Sequence, residues 1–545
     1  MEIFIKERKK MEKGYLCVML DCSRNAVMSV EGVKSFIDKI SAMGYNALQL
    51  YTEDTYEITE EPLFGYMRGR YTKAELKEID AYCKTRNMEL IPCIQTLGHL
   101  DQLFPWKRFQ RIQDIYNILF VGEEETYELI ENMFATCAEC FTSRHINIGM
   151  DEAHMLGLGR YLDKHGYHTR AEILLGHLNR VCAIAKKYGF TPMMWSDMFF
   201  KLGTALGHYS EDCEVSREAI EKVPENIELV YWDYSPTEKE HYTKIIEKHK
   251  KFGRNIWFAG CAKSGRDFHS PNELFMRALA ASLPACKETG LRNVLITVWG
   301  DYGNECPTSA ILPTLAFAAA AYHGKADYKE LFGRVVGESF DDFMLMDMKM
   351  PDEFPKSSEF STGAKTMLYS DCFLGRYDSM VYGDGREKRA FSKKAKEFDA
   401  CKKHSKNYAY LFDFYARLCD ILSIKYDLGY FTRLYYQNDN RESLNKLIDD
   451  YQKLIPMFET FIESARVAWC KENKPHGFDV VELRLGGALQ RIKSCTKRLV
   501  DYINGNATSI PELEEKLVVD DSDTALNGKM TDVGNWPFIA TVNRV

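Results

Sequence analysis

The segment HINIGMDEAH, residues 145–154, runs apolar through Gly149 and then sets two carboxylates side by side, Asp151 and Glu152. Adjacent acids are usually solvated or paired with basic neighbours. Here they close an apolar strand pattern, and the glycine just before them lets another group approach the backbone closely. Trp195, Trp232 and Trp299 stand at the ends of other apolar runs and offer flat faces suited to a pyranose ring. Carboxyls flanked by aromatics are equipment for cleaving glycosidic bonds: one acid protonates the leaving oxygen while a second group stabilises an oxocarbenium-like transition state. In a typical retaining enzyme the acid and the nucleophile lie ~5–5.5 Å apart and straddle the bond. Neighbours on one strand end suit a different division of labour. The sugar's own 2-acetamido oxygen attacks the anomeric carbon, one carboxylate holds the acetamido N–H, and the other supplies the proton.

Such a pair needs a rigid frame, and the first 325 residues offer one. Short apolar runs alternate with helical patterns about a dozen residues long. The strand candidates are YLCVML (15–20), NALQLY (46–51), ELIPCIQT (89–96), INIGM (146–150), PMMWSD (192–197), ELVYWD (228–233), IWFAG (256–260) and VLITVW (294–299). Between them run amphipathic patterns such as 73–86, 171–189 and 272–290, often closed by a glycine. Eight strand–helix units predict an α/β fold, a (β/α)8 barrel. The rival, an open doubly wound sheet, lacks a G-x-G-x-x-G after the first strand. In a barrel, chemistry sits at the carboxyl ends of the strands. Asp21 and Arg24, Glu53 and Asp54, His99, Asp151 and Glu152, Trp195 and Asp197, Tyr231, Trp232 and Asp233, Lys263, and Trp299 and Asp301 all fall there.

The expected organisation is a catalytic barrel over 1–325 and a mainly α-helical region over 326–545. In the latter, an irregular stretch from Met350 to Gly385 precedes helical patterns near 394–435, 441–472 and 480–504. The closing GNWPFIATVNRV is expected to dock as a short strand, because Trp536, Phe538 and Ile539 are costly to leave in water.

Composition narrows the partners. With 45% hydrophobic and 28% charged residues the chain is ordinary for a soluble globular protein. No run approaches the ~20 apolar residues of a membrane span, and the first residues carry no export signal. A formal charge of −8 argues against nucleic acid as partner. The 16 cysteines show no dense framework, so they are expected to be reduced thiols in a cytoplasmic protein. The close pair Cys137 and Cys140 has no second CxxC to complete a metal site. His145 and His154 flank the acids without completing a ligand set either. No metal or cofactor is expected.

NIGMDEAHMLGLGRY resembles the [HN]-x-G-[GM]-D-E signature of glycoside hydrolase family 20, the β-N-acetylhexosaminidases. LDCSRN (20–25), LQLYTEDTYEI (48–58), FGYMRGRYT (64–72), IPCIQTLGHL (91–100), YWDY (231–234) and WGDYGNEC (299–306) are similar to a bacterial branch of that family in barrel order, as are ENKPHGFD (472–479) and LRLGG (483–487) beyond it. The resemblance implies an exo-acting enzyme that removes terminal non-reducing GlcNAc or GalNAc from an oligosaccharide or smaller glycoside, by a substrate-assisted retaining path through an oxazolinium ion. It makes Glu152 the general acid/base and Asp151 the group that orients the acetamido and stabilises the oxazolinium. Arg24 would hold the 3- and 4-hydroxyls. His99, with Glu53 or Asp54, would tune proton transfer at Glu152. Trp195, Trp232 and Trp299 would wall the pocket, Tyr231 would donate to the acetamido oxygen, and Asp301 would accept from the 4- or 6-hydroxyl, with Asp233 as an addition.

Blander readings stand beside these. Arg24 could simply pair with Asp21, His99 could be structural, and a tryptophan could be core. The chain departs from the resemblance at Asn147, where the common signature has His, and at GCAKSGRDFH (260–269), where relatives tend to carry a tryptophan-rich loop. Lys263 or Arg266 is therefore expected to face an anionic or polar group near the pocket. The family's usual N-terminal α/β domain is not expected, since the first strand starts near residue 15. A catalytically silent carbohydrate-binding barrel and a metal-dependent barrel enzyme remain as alternatives, and a homodimer is left open.

Overall fold

A computed structural model describes residues 14–201, 209, 211–215, 217–263, 265–349, 363–378 and 381–517. The expected docking strand at 534–545 lies outside the described residues. The chain forms two compact units. The first comprises Met1–Lys263, Glu273–Trp299 and Thr314–Leu331, and the second Ser264–Asn272, Gly300–Pro313 and Phe332–Val545.

The first unit is a closed barrel of eight parallel strands in sequential order. They are β1 (Leu16–Asp21), β2 (Ala47–Tyr51), β3 (Glu89–Cys93), β4 (His145–Asn147), β5 (Thr191–Trp195), β6 (Glu228–Trp232), β7 (Ile256–Lys263) and β8 (Asn293–Val298). β1 pairs with β2 on one side and with β8 on the other, which closes the ring. Side chains alternate across each strand, so every second residue enters the interior. Cys17 and Met19, Tyr51, Ile91 and Cys93, Met193 and Trp195, Val230, and Trp257 and Ala259 pack there, with Trp232 and Trp299 against them. Each large side chain so buried contributes about 1.5–3 kcal/mol.

The intervening helices start where the sequence offers caps. Ser29 accepts from Gly32 N ahead of Val30–Met43, and Gly44 ends that helix at φ 109°. Thr72 with Glu75 and Thr169 with Glu172 form reciprocal capping boxes on Lys73–Thr85 and Arg170–Lys187. Strand lengths differ from expectation at the functional end. β3 and β4 stop earlier, at Cys93 and Asn147, and β7 runs on to Lys263 through a bulge.

In the second unit Ala409–Gln437 is buried on several sides and packs against Arg386–His404 and Arg441–Glu472, which in turn packs against Phe478–Ile503. The single helix expected near 394–435 is thus two. The break has a chemical cause: one oxygen of Glu338 accepts from the backbone N–H groups of Lys406 and Asn407 and from the Ser405 hydroxyl, which holds 405–407 out of the helix. Within the stretch expected to be irregular lies a short helix, Ala364–Tyr369. All 16 cysteines are free thiols. Among the described residues no helix is long and apolar enough to cross a membrane.

Candidate active site

After β4 the backbone turns sharply. Gly149, Met150 and Glu152 have φ of 72°, 70° and 51°, a region that non-glycine residues enter only when held there. The holding group is Gln95, two residues past β3. Its Oε1 accepts from Met150 N at 3.1 Å, and its Nε2 donates to Tyr51 Oη at 3.0 Å and to Asp151 Oδ1 at 2.8 Å. The backbone donor at Met150 settles the orientation of the amide, and both of its hydrogens are then used. A Cβ on Gly149 would lie 1.9 Å from Gln95 Oε1, so glycine is required here for space as well as for φ.

The second oxygen of Asp151 lies 3.2 Å from His99 Nε2, which is also 3.7 Å from Glu152 Oε2. Burial alone would raise the Asp151 carboxyl. The imidazolium charge, the contact with His99 and the Gln95 hydrogen bond instead hold it below its usual range. Burial likewise opposes charge on His99, but the Asp151 carboxylate outweighs it and lifts the ring to about 10. At neutral pH this arrangement is an anion beside a cation. Glu152, the next residue, keeps its side chain 44% exposed. Its backbone N–H donates to Asp197 Oδ2 at 3.0 Å, and Asp197 Oδ1 accepts from Trp232 Nε1 at 3.3 Å. Burial, then the Asp151 charge, pushes Asp197 up to about 7.

Arg24 bridges Glu53 at 2.5 Å and Asp21 at 3.7 Å, and its guanidinium lies 5.8 Å from the ring centres of both Tyr51 and Trp299. The expected rim ion pair therefore exists, with Glu53 as the nearer partner. Glu53 also accepts from Tyr51 Oη at 2.9 Å, and burial raises it to about 7 despite Arg24. Asp54 binds Arg68 at 3.1 Å and is raised by burial to about 6. The carboxylates within 4 Å of His99 are Asp151 and Glu152, so neither Glu53 nor Asp54 touches it. Trp299 Nε1 donates to Tyr234 Oη at 3.1 Å, and the ring stands 6.2 Å from Trp195. Trp195 is 1% exposed and belongs to the barrel core.

Two expectations are redirected, those for Tyr231 and Asp233. Tyr231 alternates to the outer side of β6, between the inward Val230 and Trp232. It packs among Tyr209, His249 and Phe258, and its hydroxyl donates to Asp233 Oδ2 at 3.0 Å. Asp233 also holds His241 at 2.8 Å, so both residues are engaged away from the interior. The β7 bulge advances Lys263 to the register of Val298, one residue beyond the Cys261–Thr297 pair, and Lys263 is buried. Arg266 and Asp301 belong to the second unit, where Asp301 heads the short turn Asp301–Gly303.

Residues that sequence reasoning left without a role are Tyr51, Gln95, Asp197 and Tyr234. A period of two counted from Trp232 reaches Tyr234. The same count from Ile91 and Cys93 reaches Gln95, and from Met193 and Trp195 it reaches Asp197. His145, by contrast, lies at the opposite end of β4, 3.3 Å from Glu89. Among the described residues, metal-capable groups crowd together at Asp342, Cys401 and His404 of the second unit. There His404 is hydrogen-bonded to Asp342 at 2.7 Å, and burial pushes the Cys401 thiol up to about 11.

Residues 14–249 match the family model described as "Glycosyl hydrolase family 20, catalytic domain", and residues 341–531 match the "Glycoside Hydrolase 20C C-terminal domain". The chain belongs to glycoside hydrolase family 20. Its class of chemistry is glycosidic-bond hydrolysis. Among curated relatives, the family 20 chain is 26% identical over 297 residues to Hexosaminidase D of Bos taurus, covering 50% of this chain and 80% of that one. It is 25% identical over 295 residues to Hexosaminidase D of Homo sapiens, covering 50% and 57%. Among solved structures it overlaps an exo β-N-acetylglucosaminidase from Vibrio harveyi bound to N-acetylglucosamine, with TM-score 0.45, 16% identity, and 61% and 58% of the two chains covered. It also overlaps a β-N-acetylhexosaminidase from Streptomyces coelicolor A3(2), with TM-score 0.43, 20% identity, and 59% and 69% covered.

Proposed function

We propose that this family 20 hydrolase is an exo-acting β-N-acetylhexosaminidase that releases terminal GlcNAc or GalNAc by substrate assistance, with retention, through an oxazolinium ion. The observation that carries the reading is the state of the adjacent acids. Asp151 is buried, oriented by Gln95 and ionised beside His99, while the Glu152 side chain is 44% exposed and lies 3.7 Å from His99. A fixed anion suits an acetamido N–H and the positive charge that develops on the oxazolinium. A solvent-reaching carboxyl suits a proton donor that must later activate water. His99, within reach of both, links their protonation.

Around them, Trp232 and Trp299 supply apolar walls and Trp195 closes the floor. Tyr234, whose hydroxyl accepts from Trp299 Nε1, donates to the acetamido oxygen, the role the resemblance gave to Tyr231. Arg24 faces the 3- and 4-hydroxyls and Asp301 a 4- or 6-hydroxyl. Titrating hydrolysis of p-nitrophenyl N-acetyl-β-glucosaminide and galactosaminide with a thiazoline that mimics the cyclic intermediate tests the reading. Wild type is expected to be inhibited competitively, and Asp151→Asn is expected to lose both turnover and thiazoline binding. Wild-type turnover in Asp151→Asn would overturn the assisted mechanism.

A further inference from the structure

The turn that carries the adjacent acids sends them to different places. The Asp151 side chain is buried against Gln95 and His99, whereas that of Glu152 is 44% exposed. Glu152 adopts φ 51°, and a non-glycine residue stays there only where its surroundings impose it. Two bonds from the end of β5 supply the constraint. Trp195 N donates to Gly149 O at 3.2 Å, and Asp197 Oδ2 accepts from Glu152 N at 3.0 Å. Asp197 itself starts from a fixed backbone, because the N–H of Ser196 donates to Val230 O of β6 at 3.0 Å. Its other oxygen accepts from Trp232 Nε1 at 3.3 Å, so one carboxylate ties the backbone of Glu152 to the indole of Trp232.

An acid in the first turn of a helix ordinarily favours that turn's own N–H groups, yet both oxygens of Asp197, at the head of Asp197–Lys201, turn to residues 152 and 232. The placement is costly. Asp197 is 1% exposed, and burial, then the Asp151 charge, pushes it up to about 7. An asparagine would avoid that cost but would set an amide donor against one of the two N–H groups, since only a carboxylate accepts at both positions. The feature that needs a carboxylate here is therefore the double attachment. We propose that Asp197 is a positioning residue for proton transfer, a brace that holds Glu152 at a fixed place beside Trp232. This rests on the reading of Glu152 as the proton donor in N-acetylhexosaminide cleavage.

The test compares leaving groups in the full chain, read as kcat/KM at the top of each variant's pH profile. Dinitrophenyl, p-nitrophenyl and phenyl N-acetyl-β-glucosaminides need protonation of the departing oxygen to increasing degrees, so a misplaced acid is felt least on the first and most on the last. Asp197→Asn is expected to lower kcat/KM roughly tenfold to a hundredfold on the phenyl glycoside and less than about threefold on the dinitrophenyl one. Damage to folding or to sugar binding alone would lower all three by one factor. Glu152→Gln is expected to show the same grading more steeply. The double variant is expected to be no worse on the phenyl glycoside than Glu152→Gln alone, because Asp197 acts through Glu152. Multiplied losses in the double variant, equal losses across the three substrates in Asp197→Asn, or wild-type kinetics in it would overturn the proposal. If Asp197→Asn does not fold, Asp197→Ser is judged by the same criterion. Ungraded losses in Glu152→Gln would remove the underlying reading, whereas graded losses there with ungraded losses in Asp197→Asn remove the positioning claim alone.

Discussion

The two ends of the barrel handle buried acid in opposite ways. At the amino ends of the strands, Glu89 accepts from Tyr15, Ser143 and His145, and Glu228 accepts from Asn255 and Trp257. Hydroxyl, amide, indole and imidazole groups meet the carboxylate oxygens, and among the described residues the one non-glycine in the left-handed region there, Asn87, is of a type that tolerates it. At the carboxyl ends Glu53, His99, Met150 and Glu152 all adopt positive φ just past β2, β3 and β4. Around them Glu53 and Asp197 rise to about 7, and His99 to about 10. One end is satisfied and relaxed; the other carries strain and unevenly balanced charge. Strain persists where the surroundings over-determine it, which is the mark of a site that works rather than one that merely holds.

Breaking the working end should cost activity far more than breaking the relaxed one. The largest expected effect is that of Glu152→Gln, which removes the proton donor and should cut kcat by roughly 10²- to 10⁴-fold, measured on a nitrophenyl N-acetylhexosaminide. Next comes Gly149→Ala. Its Cβ must displace Gln95, and with it the orientation of Asp151, so a loss on the order of a hundredfold in kcat/KM is expected at unchanged far-ultraviolet circular dichroism.

Gln95→Leu should lose roughly tenfold, and it sharpens the contrast through pH. The Gln95 hydrogen bond helps to hold Asp151 below its usual range, so removing it raises that carboxyl. The acid limb of the kcat/KM profile is then expected to move to higher pH, and an unmoved limb would show that Gln95 does not act on Asp151. The smallest effect on activity is expected from Glu89→Gln at the relaxed end. It should lower the melting temperature, by the loss of about 1–2 kcal/mol of hydrogen bonding, while kcat/KM stays within about twofold.

The strands were legible because apolar runs of five or six residues recur between helical patterns, and their order in a closed parallel barrel follows from the rhythm alone. The acids were legible because Asp151 and Glu152 interrupt such a run. Other parts were hidden for identifiable reasons. In ELVYWDY bulky residues occupy both faces of β6, so only the interior packing of Val230 and Trp232 tells that Tyr234, not Tyr231, follows the inward row. Gln95 carries no charge to draw attention, although the glycine at 149 marks the space it fills. The bulge that sets Lys263 in register with Val298 leaves no sign in IWFAGCAK. Glu338, which divides the helices at Ser405, lies far upstream.

The central claim is that the substrate's own amide is the nucleophile and that Asp151 steadies it. A series of p-nitrophenyl 2-acylamido glycosides with zero to three fluorines on the acetyl group tests this directly, because fluorination weakens the carbonyl oxygen as a nucleophile while barely changing its size. A steep fall in kcat/KM with each added fluorine is the result this account predicts. A flat series would contradict it and would place the nucleophile on the protein or on water.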